Sequence, residues 1–225
     1  YNVDEDFSQA NDLAATKPEK LKELQDLFVV EAKKYNVLPL DPRLAERMDP
    51  KLRVSGEPPT SWTYYGNQVQ LPEPIGPQLF PQAFTLTADV SVPETGAEGV
   101  ITCAGAFSAG WTLYVADGKP TFHYNAFELA TTTVTGNAPL PAGDVQIQAV
   151  FELDAESKIG AGKLTLQVDG KPVGEGTLER TLFRHGLEPF EVGRDSITPV
   201  DPAYADKDGF AFSGTIRKVE FDLNQ

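Results

Sequence analysis

His123 and His185 are the only side chains in this 225-residue chain whose ordinary pKa lies near neutrality, so proton transfer at neutral pH would start with them. His123 follows Thr121-Phe122 and precedes Tyr124 on a β-rich run, which reads as a strand side chain or the edge of a groove. His185 sits in Phe183-Arg184-His185-Gly186, which reads as an exposed loop. A serine nucleophile needs a strained strand-to-helix elbow, and the sequence contains no Gly-x-Ser-x-Gly. Cys103 is the single cysteine, which excludes an internal disulfide and a cysteine-based zinc cluster. Its apolar setting, Ile101-Thr102-Cys103-Ala104, predicts a buried and inert thiol. Glu128, Glu152, Glu220 and Asp222 could supply paired carboxylates for glycoside hydrolysis, but their spacing singles out no pair. The loop from Gly193 through Asp195 to Asp201 offers oxygens to a calcium ion, though a hydrogen-bonded turn accounts for the same residues. Gly160-Ala-Gly-Lys-Leu-Thr165 runs into a strand and lacks phosphate-loop spacing. Trp62, Tyr64, Tyr65, Trp111 and Tyr114 are the aromatic residues that could stack on a sugar, with core packing the commoner role for such residues. These residues make no self-sufficient catalytic set, and no cofactor or metal is expected on them.

The elements that must position these residues change character along the chain. Tyr1–Ala15 is acidic and reads as an ordered loop. Thr16-Lys-Pro-Glu19 then has the composition of a capped helix start, with proline where its missing N–H costs nothing. Leu21, Leu24, Leu27, Phe28, Ala32 and Tyr35 follow at helical spacing, predicting an amphipathic helix over 17–35 that Asn36 and Pro39 stop. Leu38–Pro59 is punctuated by five prolines, with a short helix expected over Pro42–Met48 and a domain boundary near residue 53.

Beyond Trp62 the period falls to two. Phe84, Leu86, Ala88, Val90 and Val92 alternate with polar residues, and similar runs recur to Leu223. Asp117-Gly118 and Asp169-Gly170, both followed by Lys-Pro, predict tight hairpins. About ten short strands with closely spaced turn signals predict an antiparallel β-sandwich over 54–225, preceded by one helix and a proline-rich connector.

The net charge is −14, and residues 54–225 carry −12 of it from 22 acidic and 10 basic residues. Such a surface repels phosphate backbones and anionic headgroups, which excludes nucleic acid and membrane surfaces as partners. No run approaches the ~18 apolar residues of a membrane span. A tyrosine at position 1 and a lone methionine at position 48 read as a piece of a longer chain, leaving the compartment open between cytoplasm and periplasm.

Two stretches together resemble a known family. Tyr1-Asn-Val-Asp-Glu-Asp-Phe-Ser-Gln-Ala-Asn-Asp-Leu-Ala14, the Pro18-Glu-Lys-Leu-Lys-Glu-Leu24 helix and Tyr35-Asn-Val-Leu-Pro-Leu-Asp41 resemble the closing segment of bacterial arylsulfatases. Gly110-Trp-x-Leu-Tyr-Val-x-Asp-Gly-Lys-Pro120, Phe190-Glu-Val-Gly-Arg-Asp195 and Phe212-Ser-Gly-Thr-Ile-x-Lys-Val219 resemble the concanavalin/laminin-G-like sandwich that ends long members. The resemblance implies that 1–53 closes a sulfatase-type subdomain and that 54–225 is an accessory domain. Calcium and formylglycine would belong only to a parent enzyme hydrolysing sulfate esters, on a missing upstream catalytic domain. Cys103 is followed by Ala104-Gly-Ala106, so it does not match the Cys/Ser-x-Pro-x-Arg motif that yields formylglycine.

Three functions therefore compete: a non-catalytic accessory region of a sulfatase, a carbohydrate-binding module, and a stand-alone jelly-roll glycoside hydrolase or lyase. The first two would place Trp62, Tyr65, Trp111, His123, Tyr124 and His185 against a glycan or sulfate ester. An oligomer contact is a further expectation for the sandwich.

Overall fold

The computed structural model describes residues 1–40, 59–67, 69–183, 185 and 188–224. The chain divides into two compact units, Tyr1–Pro58 and Pro59–Gln225. The helix expected at Pro42–Met48 lies outside the described residues.

In the first unit, helix α1 spans Pro18–Lys34. Its start differs from the expected capping box. Lys17 occupies the cap position without a side-chain bond, and Thr16 Oγ1 donates instead to the Leu13 carbonyl at 3.2 Å. The Leu13–Thr16 turn competes for the hydroxyl that the helix would have used. Its end follows the sequence. Asn36 takes a left-handed φ of 56°, Val37 N–H donates to Ala32 O at 2.8 Å and Asn36 N–H to Lys33 O. This paired closure satisfies two of the last carbonyls. Leu21, Leu24, Leu27 and Phe28 are exposed along the helix, and only Ala32 is buried.

The described residues of the second unit form twelve strands: β1 (Ser61–Tyr65), β2 (Val69–Leu71), β3 (Phe84–Val92), β4 (Gly99–Ala106), β5 (Ala109–Ala116), β6 (Lys119–Ala126), β7 (Ala130–Thr135), β8 (Gly143–Leu153), β9 (Gly162–Val168), β10 (Lys171–Leu178), β11 (Phe190–Val192) and β12 (Thr215–Leu223). They form two six-stranded antiparallel sheets, the first ordered β1-β12-β3-β8-β9-β10 and the second β2-β11-β4-β5-β6-β7. Alternation fixes what lies between the sheets: Phe84, Leu86, Ala88 and Val90 of β3 meet Trp111, Leu113 and Val115 of β5 in one core.

The Asp-Gly turns form as expected. Asp117 and Gly118 have φ of 50° and 71°, and Asp169 and Gly170 have 48° and 73°, the paired positive values that match the strand twist. The β6–β7 turn reaches the same geometry without glycine. Phe127 and Glu128 have φ of 52° and 57°, and Leu129 N–H closes the turn on Ala126 O at 3.0 Å. Asn125 holds it, accepting Glu128 N–H at 2.8 Å and donating to Phe107 O. Left-handed backbone costs an ordinary residue about 1–2 kcal/mol. The double substitution Phe127→Asn, Glu128→Gly is accordingly expected to raise unfolding free energy by about 1–2 kcal/mol, read from the urea midpoint.

The outer face of the second sheet is covered over β4 and β5. The segment from Gly193 to Phe212 lies across it, placing Val200, Tyr204 and Phe210 over Val100, Cys103 and Tyr114 as a second small core. Two glycines permit the closure. A Cβ on Gly193 (φ 93°) would sit 2.0 Å from Asn67 O, and one on Gly99 (φ 112°) 2.3 Å from Ala211 O. Val100 N–H to Phe210 O and Phe212 N–H to Gly193 O then pin the segment.

Candidate functional site: a buried polar layer and an exposed polar face

The overlay converts outward positions of β11, β4, β5 and β6 into a buried polar layer, while Thr131, Thr133 and Thr135 of β7 stay exposed. Glu191, Cys103, Thr112, His123 and Thr133 lie on one cross-strand row through β11, β4, β5, β6 and β7. Asp201, carried by the overlay, lies with Oδ2 3.1 Å from His123 Nδ1 and accepts from Tyr114 OH at 2.9 Å and, through Oδ1, from Ala203 N–H at 2.9 Å. The same imidazole nitrogen is 2.8 Å from Thr133 Oγ1. Asp195 Oδ2 accepts from Val200 N–H and Tyr204 OH, each at 2.8 Å. Glu191 accepts from Ser196 N–H and Oγ at 2.6 Å and from Gln70 Nε2 at 2.9 Å.

Burial sets the electrostatics of this layer. It pulls the His123 pKa down, with the Asp201 charge opposing, and it lifts the Asp195 carboxyl to about 6. Burial, reinforced by the charges of Asp195 and Glu191, pushes the Cys103 thiol well up, so Cys103 stays a protonated and unreactive thiol. Cys103, Glu191 and Asp195 lie close enough to share a metal ion, but both carboxylates are engaged by internal donors. The loop at 193–201 is a hydrogen-bonded turn. A histidine, an aspartate and a tyrosine in contact have the parts of a proton relay, yet His123 is 4% exposed and no substrate reaches it. Their work is to fasten the overlay.

His185 is a correction to the sequence reading: it is buried at 7% exposure, not displayed on a loop. Its Nε2 lies 3.3 Å from Tyr124 OH, which accepts Leu182 N–H at 2.7 Å, and its ring meets Phe80 and Tyr124 edge-on. The adjoining cavity of about 10 Å³, bordered by Phe80, Trp111 and His185, admits no ligand larger than a water. Burial lowers the His185 pKa from 6.5 to about 4. A depressed folded-state pKa gives stability that is present above pH 6.5 and lost as pH falls toward 4. Asp195 acts oppositely: its raised pKa gives stability present below 3.8 and lost as pH rises through about 6. The His185→Gln substitution is expected to shrink the loss of unfolding free energy between about pH 7.5 and pH 4 by about 2 kcal/mol, as measured by urea unfolding at both values.

Of the six residues selected for ligand contact, Trp111, Tyr124 and His185 meet inside the core, and the six share no accessible surface. Trp111 and Tyr124, each 1% exposed, are central core residues and offer no ligand-accessible surface. His123 lies beneath the overlay and His185 behind Phe80. Trp62 is half-buried on the inner side of β1, packed on the core. Tyr65 alone is displayed, 73% exposed on the outer side of β1.

Tyr65 opens onto the outward face of the first sheet, whose row residues remain partly or fully exposed and which no described segment of the sandwich unit covers. Strand register orders this face in rows. Tyr65, Lys218, Asp89 and Gln146 form one row across β1, β12, β3 and β8. Thr63, Glu220, Thr87, Gln148 and Gln167 form the next, reaching β9. Side chains bond along the rows: Gln148 Nε2 donates to Thr87 Oγ1 at 3.1 Å and Gln146 Nε2 to Asp89 Oδ1 at 3.0 Å. Lys218 Nζ lies 2.7 Å from Glu220 and 3.7 Å from Asp89. These bonds fix amide, hydroxyl and carboxylate groups in a plane, with one aromatic ring at the edge. The arrangement can match several hydroxyls of a sugar while the ring covers an apolar sugar face. The sequence reading missed Thr87, Gln148, Asp89 and Gln146. Their outward alternation was visible, but their adjacency depends on register between strands far apart in sequence.

No protein-family profile matches the chain, and no curated protein does. Among solved structures, the chain is similar to the CBM40 of the Ruminococcus gnavus IT-sialidase, bound there to α2,3-sialyllactose, with a TM-score of 0.50 at 13% identity over 73% of this chain and 94% of that one. It is also similar to domains LG4-5 of the mouse laminin α1 chain (TM-score 0.46, 13% identity, 75% and 43% covered). A third similarity is to the Caenorhabditis elegans galectin LEC-6 (TM-score 0.41, 12% identity, 71% and 95% covered). At such identities the likeness to the CBM40 is one of fold: a β-sandwich of two antiparallel sheets.

Proposed function

We propose that the sandwich unit is a non-catalytic accessory module that binds carbohydrate on the outward face of its first sheet. The observation that carries this reading is the pair of hydrogen-bonded polar rows beside Tyr65, the one displayed member of the six candidates. The sialyllactose-bound neighbour lends support through the fold it shares with this chain. The histidine and carboxylates best suited to acid–base work are buried in structural contacts, which favours binding over turnover. Incubating the full chain on a printed glycan array tests the reading, with saturable signal on a defined set of glycans as the expected result. Absence of signal on every glycan rejects it.

A second reading rests on the first unit. The stretch Tyr1–Ala14 and α1 resemble the closing segment of arylsulfatases, and the exposed Leu21, Leu24, Leu27 and Phe28 suit a helix packed on further protein. On this reading the sandwich is the accessory end of a sulfate-ester hydrolase whose formylglycine and calcium lie on an upstream domain. The two readings are compatible. The second expects no hydrolysis of 4-nitrophenyl sulfate by this chain with calcium present, and turnover above blank would contradict it.

A further inference from the structure

The charges on the outward face of the first sheet carry a consequence for what it binds, resting on the carbohydrate reading above. Among the described residues the face holds three cations, and each is already committed to a carboxylate. Lys163 Nζ lies 2.7 Å from Glu175, Arg217 Nη1 2.7 Å from Asp144, and Lys218 Nζ 2.7 Å from Glu220 with Asp89 at 3.7 Å. Glu152 on β8 and Asp222 on β12 lie on the same face; Glu152 faces Lys163 of β9 and, after Glu175, helps raise its pKa, and Asp222 has no ion-pair partner among the described residues. Among the described residues of this face carboxylates therefore outnumber cations two to one, and each cation has a carboxylate beside it.

Recognition of a sialyl carboxylate or a sulfate depends on charge-assisted donors, above all an arginine or lysine free to turn toward the anion. On this face an incoming anion would have to displace a resident carboxylate from its cation. That exchanges one ion pair for another and leaves a displaced carboxylate on a face already rich in carboxylates. A sugar hydroxyl meets no such obstacle, because carboxylates and amide oxygens accept from it and the amide of Gln148 can donate to it. We infer that the face selects uncharged, hydroxyl-rich glycans and discriminates against the same glycans carrying sialic acid or sulfate.

The test uses the full chain and matched glycans: one neutral oligosaccharide core presented uncapped, sialylated and sulfated, with affinities from calorimetric titration. The uncapped core is expected to bind at least about tenfold more tightly than either capped form at low salt, the ratio narrowing as salt rises from about 50 to about 500 mM. Equal or tighter binding of a capped form overturns the inference while leaving the carbohydrate reading intact. No binding of uncapped or capped glycans across an array overturns the carbohydrate reading itself. The double substitution Glu152→Gln, Asp222→Asn separates charge from shape: the uncapped-to-capped ratio is expected to fall at least about threefold, and an unchanged ratio assigns the exclusion to sterics and overturns the charge account.

Discussion

Replacing Trp111 with alanine is expected to lower the unfolding free energy by about 3–5 kcal/mol, a large share of the total stability of a typical domain. The ring is 1% exposed and joins the two sheets. Its centroid lies 6.3 Å from Phe122, stacked within 3°, 6.3 Å from Phe190 and 6.0 Å from Phe221. Phe122 and Phe190 belong to the second sheet and Phe221 to the first, so alanine leaves a void that neither sheet can close alone. Urea unfolding reads the loss. A change below about 1 kcal/mol would mean that the indole does not occupy the core.

Replacing Tyr65 with alanine should have the reverse profile. The ring is 73% exposed on β1, an edge strand, so stability should move by less than about 0.5 kcal/mol. Glycan affinity should fall by about 2 kcal/mol, or about 30-fold, because an exposed aromatic anchor supplies apolar area at low entropic cost. Tyr65→Phe keeps the ring and should retain most of the affinity, which separates stacking from a hydroxyl contact. The contrast between Trp111 and Tyr65 divides aromatics that build the sandwich from the one that meets a ligand. Unchanged affinity in Tyr65→Ala would remove the face from the account.

Local features of the fold were legible where one residue decides a backbone conformation. Asp117-Gly118 and Asp169-Gly170 marked their hairpins, and Asn36 marked the end of α1, because left-handed φ is accessible to few residue types. Alternation likewise assigned Trp111 and Leu113 to one side of β5 and Thr112 and Tyr114 to the other. It did not tell which outward row remains open. Thr112 and Thr87 are both outward threonines on central strands, but Thr112 is fully buried by the 193–212 segment while Thr87 stays accessible. That difference rests on Gly99 meeting Ala211 and Gly193 meeting Asn67, contacts across more than 100 residues that no local pattern encodes. His123, read as a strand side chain or the edge of a groove, is a β6 side chain in a closed layer. Tyr65 was selected by type, and its neighbours Thr87 and Gln148 only by register.

The central claim is that carbohydrate binds the outward face of the first sheet. Mapping amide chemical-shift changes on the 24.5 kDa chain, titrated with the glycan giving the strongest array signal, tests it most directly. The predicted result is a contiguous set of shifted amides around Tyr65, Thr87, Gln148 and Lys218, saturating with one affinity and lost in Tyr65→Ala. Shifts confined to the hairpin tips at Phe107 and Phe127 or to the 193–212 overlay, with the Tyr65 rows unmoved, would contradict it.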